Sequence, residues 1–133
     1  MTVLSLTQPW ASALFSMCHC PPKKTIETRA WQTSYRGVLY IHASKGFPKW
    51  AKTMAADEGF TPECLPLGCI IGSVFLKDIK PTEEIRSSLS DLELSWGDYA
   101  DGRFAWIFER PMRLKEPIKA KGALSLWKYD VPT

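Results

Sequence analysis

The 133-residue chain has the size of one ordinary domain, and we expect a single domain over residues 1–133. Hydrophobic residues make up 45% and charged residues 23%, a globular composition that excludes a disordered chain. No apolar run approaches the about 20 residues of a membrane span, and the first residues lack the features of a signal peptide. We therefore expect a cytoplasmic protein that makes no membrane contact. The net charge of +3 is too small to identify a nucleic-acid binder by itself.

The chain begins with a predicted strand and a predicted helix. Val3 to Leu6 is a short apolar run, which indicates a strand. Thr7 is a suitable helix N-cap, and Pro9 falls in the first turn, where proline is tolerated. The helix is predicted over residues 9–17, and the Pro21-Pro22 pair lies in the turn that ends it.

A second strand is predicted from about residue 25 to residue 31. Successive side chains of a strand point to opposite faces of the sheet. One face of this strand therefore carries Glu27, Arg29 and Trp31. Two opposite charges and an aromatic ring on one face make this strand a candidate part of a binding site.

The next predicted elements are a strand over residues 38–44 and a helix over residues 49–58, with Gly59 as the residue that ends the helix. In the strand, the same alternation places His42 and Ser44 on the face opposite the aliphatic side chains. Loops at strand ends often carry function, so the end of this strand is a second candidate region.

Three more strands and an acidic helix are predicted in the second half of the chain. The strands are predicted over residues 67–76, 103–109 and 123–129, and the helix from Thr82 to about Glu93. Pro111 and Pro117 are expected in the connection before the last strand. Strands that are not regularly alternated with helices favour a small barrel or a curved mixed sheet over a doubly wound fold.

The charges are unevenly distributed along the sequence. Residues 23–52 carry seven Lys or Arg against one acid, residues 57–109 eleven acids against four bases, and residues 110–133 six bases against two acids. If the two basic segments meet in the fold, they form one positive face opposite an acidic one. Solvated charge without a partner is the alternative interpretation.

The four cysteines favour neither a disulfide framework nor a metal site. A domain of this size without signs of secretion usually keeps its cysteines reduced. The run Cys18-His19-Cys20 resembles a metal-binding triplet, but its spacing is tighter than that of zinc motifs. Cys64 and Cys69 do not provide a matching second pair. We expect reduced cysteines, no metal and no other cofactor.

Short motifs in the first third of the chain are its most informative part. In chain order they are Leu4-Ser5-Leu6, Gln8-Pro9-Trp10-Ala11, Lys24-x-x-Glu27-x-Arg29, Tyr35-Arg36-Gly37 and Ile41-His42-Ala43-Ser44. This order is similar to that of the ASCH domain family, whose signature is G-x-K-x-x-E-x-R after the first helix. The chain keeps the lysine, glutamate and arginine and has Pro22 in place of the glycine. Later segments that also resemble ASCH proteins are Gly102 to Trp106, Glu116 to Ile118 and Gly122 to Trp127.

The resemblance implies an α+β fold, a PUA-like β-barrel of five to six mostly antiparallel strands with two to three helices. It also implies a cleft between the barrel and the first helix, where Lys24, Glu27 and Arg29 gather. The chemistry of these groups suits such a site, because a carboxylate between two cations stays ionised. Arginine offers a rigid fork for phosphate, and lysine a mobile point charge.

Further candidate ligand contacts lie around this motif. They are Gln8, Trp10, Trp31, His42, Ser44 and Lys45. The glutamine amide can donate to and accept from a base edge, and a tryptophan can stack on a base. The alternative for each is a structural role, since tryptophan and histidine are more often buried and satisfied than ligand-binding.

We expect a binding module, in which a basic cleft receives RNA or a nucleotide-like or nucleoside ligand and no obligate protein partner is needed. The alternative is a hydrolase, because some small ASCH proteins are amidohydrolases on acylated cytidine nucleosides and others are ribonucleases. Lys24 and Glu27 would then be the catalytic residues. The amidohydrolases have a threonine where this chain has Glu27. A protein-interaction domain that uses the acidic helix is a third possibility.

Overall fold

Six strands form one curled half-barrel sheet within residues 1–16 and 21–130, the parts of the chain that the computed structural model describes. They are β1 (Thr2–Leu6), β2 (Ile26–Arg29), β3 (Gly37–Ala43), β4 (Cys69–Pro81), β5 (Phe104–Lys119) and β6 (Leu126–Lys128). Their order across the sheet is β2-β5-β4-β3-β1-β6. The β1–β3 pair is parallel, and the other neighbouring pairs are antiparallel. This arrangement confirms the predicted α+β, PUA-like fold.

The described residues contain four short α-helices. They are α1 (Trp10–Ala13), α2 (Lys49–Asp57), α3 (Thr82–Ile85) and α4 (Asp91–Ser95). The first helix is shorter than predicted and is preceded by Pro9 rather than by a Thr7 cap; residue 17, its predicted end, lies outside the described residues. None of these helices is long and apolar enough to cross a membrane.

The structure divides the predicted acidic helix into two pieces. A turn of 3-10 helix at Arg86–Ser88 separates α3 from α4. The second piece has its own cap, since the Ser90 hydroxyl accepts a hydrogen bond from the Glu93 amide at 3.1 Å. The one-helix prediction was wrong because serine competes for backbone hydrogen bonds and favours a new helix start.

β5 is much longer than predicted. Pro111 and Pro117 were expected in a connection, but both lie within β5. The pairing of β4 with β5 is irregular at three places along β4: between Ile70 and Gly72, between Ser73 and Phe75, and between Leu76 and Asp78. The first two irregularities leave residues of β5 without a partner in the ladder, and both prolines fall in these stretches. Proline is tolerated there because no ladder hydrogen bond needs its missing N–H group.

The core lies on one face of the central strands. Leu39, Ile41 and Ala43 of β3 are fully buried in it, as the predicted alternation requires. Phe15, which follows α1, packs against the middle of β4. A Cβ atom at Gly72 would lie 2.6 Å from the Phe15 ring, so that close approach of side chain and strand requires a glycine.

The ends of β1, β3 and β5 come together at one end of the sheet. The parallel register of β1 and β3 places Ser5 opposite His42. Just after β3, the Ser44 amide donates to the Leu6 carbonyl at 2.9 Å, so the ends of both strands stay together. The Ala120 amide donates to the Gly68 carbonyl at 3.1 Å, which brings the end of β5 to the same edge of the sheet.

Candidate functional site

Two clefts open on this part of the molecule, and Arg29 lines both. The larger one, the basic cleft, has a volume of about 1130 Å³; its walls include Ser5, Arg29, His42, Ser44, Lys45 and residues 119–125. The smaller one, the aromatic cleft, has a volume of about 560 Å³; its walls include Trp10, Glu27, Arg29, Trp50, Trp96 and Arg103. Both volumes fall in or near the range of small-molecule sites in proteins.

Lys24, Glu27 and Arg29 lie together, as expected, but they are not equally accessible. The Lys24 side chain is 0% exposed, and its ammonium group donates a hydrogen bond to Oε1 of Glu27. The Glu27 side chain is 10% exposed, and Nη1 of Arg29 lies 3.6 Å from its Oε2 atom. Lys24 lines neither cleft, whereas Glu27 lines the aromatic cleft. The lysine is therefore the buried counterion that makes a carboxylate tolerable at this depth.

Arg29 occupies the boundary between the two clefts. Its side chain is 30% exposed, and its guanidinium carbon lies 5.9 Å from the centre of the Trp31 ring. That ring packs edge-on against Trp106 at a centroid distance of 4.8 Å, and the Trp106 indole N–H donates to the Trp31 carbonyl at 3.2 Å. Trp31 lines neither cleft; its ring holds the Arg29 guanidinium in place by a cation–π contact.

His42 is held by a chain of hydrogen bonds under the basic cleft. The Trp127 indole N–H donates to the Ser5 hydroxyl at 3.1 Å, and that hydroxyl lies 3.0 Å from Nδ1 of His42. Nε2 of His42 lies 2.7 Å from the Ala120 carbonyl oxygen. Because a carbonyl only accepts, Nε2 carries a proton and donates to Ala120, while Nδ1 shares a hydrogen bond with the Ser5 hydroxyl. The buried histidine is thus satisfied on both sides.

Residues 119–125 pass closely over this network and form one wall of the basic cleft. A Cβ atom at Gly122 would lie 2.7 Å from Cε1 of His42 and 2.9 Å from the Ser5 hydroxyl oxygen. Only a residue without a side chain fits at that distance. This close approach and the hydrogen bond between His42 and Ala120 hold the segment against the sheet, and Lys119 and Lys121 line the cleft from it.

Four cations from distant parts of the chain meet in the basic cleft. They are Arg29, Lys45, Lys119 and Lys121. The three lysines are exposed, and none of them forms an ion pair with another described residue. No aspartate or glutamate is among the described residues that line this cleft. The two basic segments of the sequence, residues 23–52 and 110–133, therefore meet in the fold.

The aromatic cleft has a different character. Trp10 and Trp50 lie with their ring centres 5.7 Å apart at an interplanar angle of 58°, and the Trp50 side chain is 64% exposed. Arg103 is held in the wall because its guanidinium donates to the carbonyls of Asp98 at 3.1 Å and Thr28 at 3.2 Å. Aromatic faces, the two carboxylates of Glu27 and Asp98 and two guanidinium groups together suit a flat, polar-edged ligand.

A buried tyrosine lies behind the aromatic cleft. Burial raises the pKa of the Tyr99 hydroxyl above its usual range, and the nearby carboxylates of Glu93 and Glu27 raise that pKa further. The same hydroxyl has no hydrogen-bond partner within the described parts of the chain. It therefore stays protonated throughout the ordinary pH range.

The structure divides the other sequence-predicted contacts between the two clefts and the core. Trp10 lies in the aromatic cleft, and Ser44 and Lys45 lie with His42 in the basic cleft. Gln8 is fully buried: its Oε1 accepts from the Ser12 amide at 3.0 Å, and its Nε2 donates to the Ser12 hydroxyl at 2.8 Å and to the Pro66 carbonyl at 3.0 Å. Gln8 is therefore not placed to contact a base, since its hydrogen-bonding groups are engaged inside the protein.

Sequence analysis missed several residues that line the clefts. They are Trp50, Trp96, Arg103, Lys119 and Lys121. The excess of basic residues after position 110 was a signal for the two lysines. In α2, Ala51 and Ala55 are buried and Trp50 is exposed, a division that helical periodicity alone did not reveal. No cluster of metal ligands forms in residues 1–16 and 21–130, and the Cys18-His19-Cys20 run lies outside them.

Comparisons with known proteins agree on one family. A family model described as the ASCH domain matches residues 4–118. Activating signal cointegrator 1 from Homo sapiens is 30% identical over 137 residues, which cover 96% of this chain and 22% of that protein. The Mus musculus protein of the same name is 27% identical over 136 residues, with the same coverage. The chain thus spans about a fifth of the length of these curated relatives.

Solved structures show the same fold. The crystal structure of ASCH from Zymomonas mobilis superposes with a TM-score of 0.55 and 21% sequence identity, covering 89% of this chain and 72% of that one. The Y47F mutant of that protein gives a TM-score of 0.55 and 20% identity, covering 89% of this chain and 74% of the other.

Proposed function

Because this chain belongs to the ASCH domain family, we propose that it is a binding module whose basic cleft receives single-stranded RNA or a nucleotide-like ligand. One observation carries the proposal. Three exposed lysines and Arg29 converge on one cleft without an acidic residue among its described lining. Like charges held together are unfavourable, and an anionic ligand such as a phosphodiester relieves this repulsion.

The side chains of the cleft match the chemistry of phosphate. Arg29 can form two parallel hydrogen bonds to one phosphate group, whereas Lys45, Lys119 and Lys121 act as mobile point charges. Neutral donors are also present, since Ser44 lies beside Lys45 in the wall. A cleft of about 1130 Å³ has room for more than one nucleotide unit, so several phosphates of one strand can bind together.

The hydrolase alternative receives less support from the geometry. A catalytic Lys24 would have to contact the reacting atoms, but its side chain is 0% exposed and is engaged with Glu27. Only Glu27 of the two lies in a cleft wall. Incubation of the protein with an acylated cytidine nucleoside and with RNA separates the proposals, because turnover that Glu27→Ala abolishes would favour the enzyme.

The dependence of affinity on salt tests the binding proposal. We expect the affinity for a fluorescent single-stranded RNA, measured by anisotropy, to fall steeply with salt. Each lost phosphate contact makes the plot of log association constant against log salt less steep by about 0.7. The triple variant Lys45→Ala, Lys119→Ala, Lys121→Ala should therefore reduce the steepness by about 2. An equal slope in the native protein and this variant would refute the proposal.

A matched control removes the same charge from another place. Lys77, Lys80 and Lys115 are exposed and line neither cleft. Their triple alanine variant has the same net charge as the cleft variant. It should keep nearly the native salt slope, because the contacts are local and not an effect of net charge.

A further inference from the structure

We infer that the aromatic cleft is a base-binding subsite with a preference for guanine, next to the phosphate held by Arg29. This inference rests on the proposed function and names the part of the ligand that the second cleft receives. The starting point is that Arg29 lines both clefts. A strand whose phosphate binds this guanidinium from the basic cleft has its neighbouring base within reach of the aromatic cleft.

Glu27 determines which base edge fits. Lys24 donates to its Oε1 atom from the buried side and forms an ion pair with the carboxylate. An ionised carboxylate only accepts hydrogen bonds. Nη1 of Arg29 lies 3.6 Å from Oε2, longer than a hydrogen bond, so that oxygen keeps accepting capacity on the side of the cleft.

Among the four RNA bases, guanine alone carries two neighbouring donors, N1–H and N2–H, on its Watson–Crick edge. Adenine and cytosine place a ring acceptor beside a single amino donor, and uracil has one N–H between two carbonyls. A carboxylate that faces this edge therefore pairs with two donors of guanine but meets an acceptor in each other base. Acceptors at O6 and N7 of guanine also match arginine donors, and Arg29 and Arg103 line the same cleft.

The walls of the cleft suit the faces of a base. Trp10 and Trp50 present indole rings, and Trp50 is 64% exposed although it is large and apolar. Met54 lines the same wall. A stacked base would remove this exposed surface from water, and every base has a face that can stack. Stacking thus supplies affinity, and Glu27 supplies the choice between bases.

A series of labelled hexanucleotides on the native protein tests this inference. The oligonucleotides are UUUXUU with guanine, inosine, adenine, cytosine or uracil at X, measured by fluorescence anisotropy at one salt concentration. We expect guanine to bind best, by about tenfold or more over adenine and cytosine, the discrimination typical of one two-donor contact. Inosine, which lacks the N2 amino group, should fall in between.

Two variants locate the preference. Trp50→Ala should weaken binding of the guanine hexamer by about tenfold, the effect expected for one stacked base, and should not affect folding because the side chain is exposed. Glu27→Gln offers one acceptor and one donor, so it should reduce the advantage of guanine over adenine. If Glu27→Gln does not fold, the inosine comparison still decides the role of the second donor.

The outcomes separate this inference from the proposed function. Salt-dependent binding with equal affinity for all five hexamers, or with a preference for adenine or a pyrimidine, overturns the guanine subsite and leaves the basic cleft intact. If Trp50→Ala binds the guanine hexamer as tightly as the native protein and with the same preference for guanine, the guanine site does not lie in the aromatic cleft. Absence of binding to every hexamer refutes the proposed function itself.

Discussion

Nε2 of His42 lies 2.7 Å from the carbonyl oxygen of Ala120, a hydrogen bond that joins the sheet to a segment 78 residues further along the chain. The same imidazole meets the Ser5 hydroxyl at its other nitrogen. The segment that it holds carries Lys119 and Lys121, two of the four cations of the basic cleft. His42 is therefore a positioning residue, and its role is to keep the lysine-bearing wall on the sheet.

Replacement of His42 by alanine should destabilise the fold by about 1–3 kcal/mol, because the Ala120 carbonyl loses its side-chain donor and the Ser5 hydroxyl keeps only its contact with Trp127. Urea denaturation measures this loss. RNA affinity should fall as well, since the wall loses its attachment. His42→Gln keeps an amide donor for the Ala120 carbonyl and should recover part of the stability. An unchanged urea midpoint in His42→Ala would contradict the positioning role.

Gly122→Ala should disturb the same wall from the opposite side. Its Cβ atom would lie 2.7 Å from the His42 ring, and overpacking of this kind costs about 1–3 kcal/mol. Gly46→Ala is the matched control, because a Cβ atom at Gly46 meets nothing within 4 Å. Thermal denaturation of both variants should show a lower midpoint for Gly122→Ala only. Equal midpoints would mean that residues 119–125 can shift away from His42 without a loss of stability.

Lys24→Ala should be strongly destabilising, by about 3–5 kcal/mol, because it leaves the Glu27 carboxylate buried without its counterion. Lys24→Ala with Glu27→Ala removes both charges and should be less destabilised than the sum of the single variants. A double-mutant cycle from urea denaturation gives the coupling energy. The exposed Lys77→Ala should be close to native. Additive effects in the cycle would show that the pair is not coupled.

Tyr99 should make the fold sensitive to high pH. Its pKa is raised in the folded state, so above about pH 10, where the unfolded chain ionises, the unfolded state releases a proton that the folded state keeps. Stability is therefore fully present below that pH and falls as the pH rises. Tyr99→Phe should remove this alkaline loss and cost little at pH 7, because the hydroxyl has no partner among the described residues. Urea denaturation between pH 7 and pH 11 measures both effects, and an identical alkaline loss in Tyr99→Phe would contradict the assignment.

The sequence by itself determined the local features of this protein. Alternation identified β3 and the face of β2 that carries Glu27 and Arg29, because the period of a strand is set by its backbone alone. The spacing of Lys24, Glu27 and Arg29 was also sufficient to bring the three together, since all lie within six residues. The order of the motifs predicted the family and, with it, the curled sheet.

Only the tertiary structure decided which of these groups a ligand can reach. The sequence predicted site roles for Lys24 and Gln8, which require contact with a ligand. Both side chains are buried, because segments from elsewhere in the chain pack against them. The place of Pro111 inside β5 likewise depends on the irregular pairing with β4. Arg29 and Lys45 meet Lys119 and Lys121 because the pairing of distant strands, not the local sequence, brings the end of β5 to the end of β3.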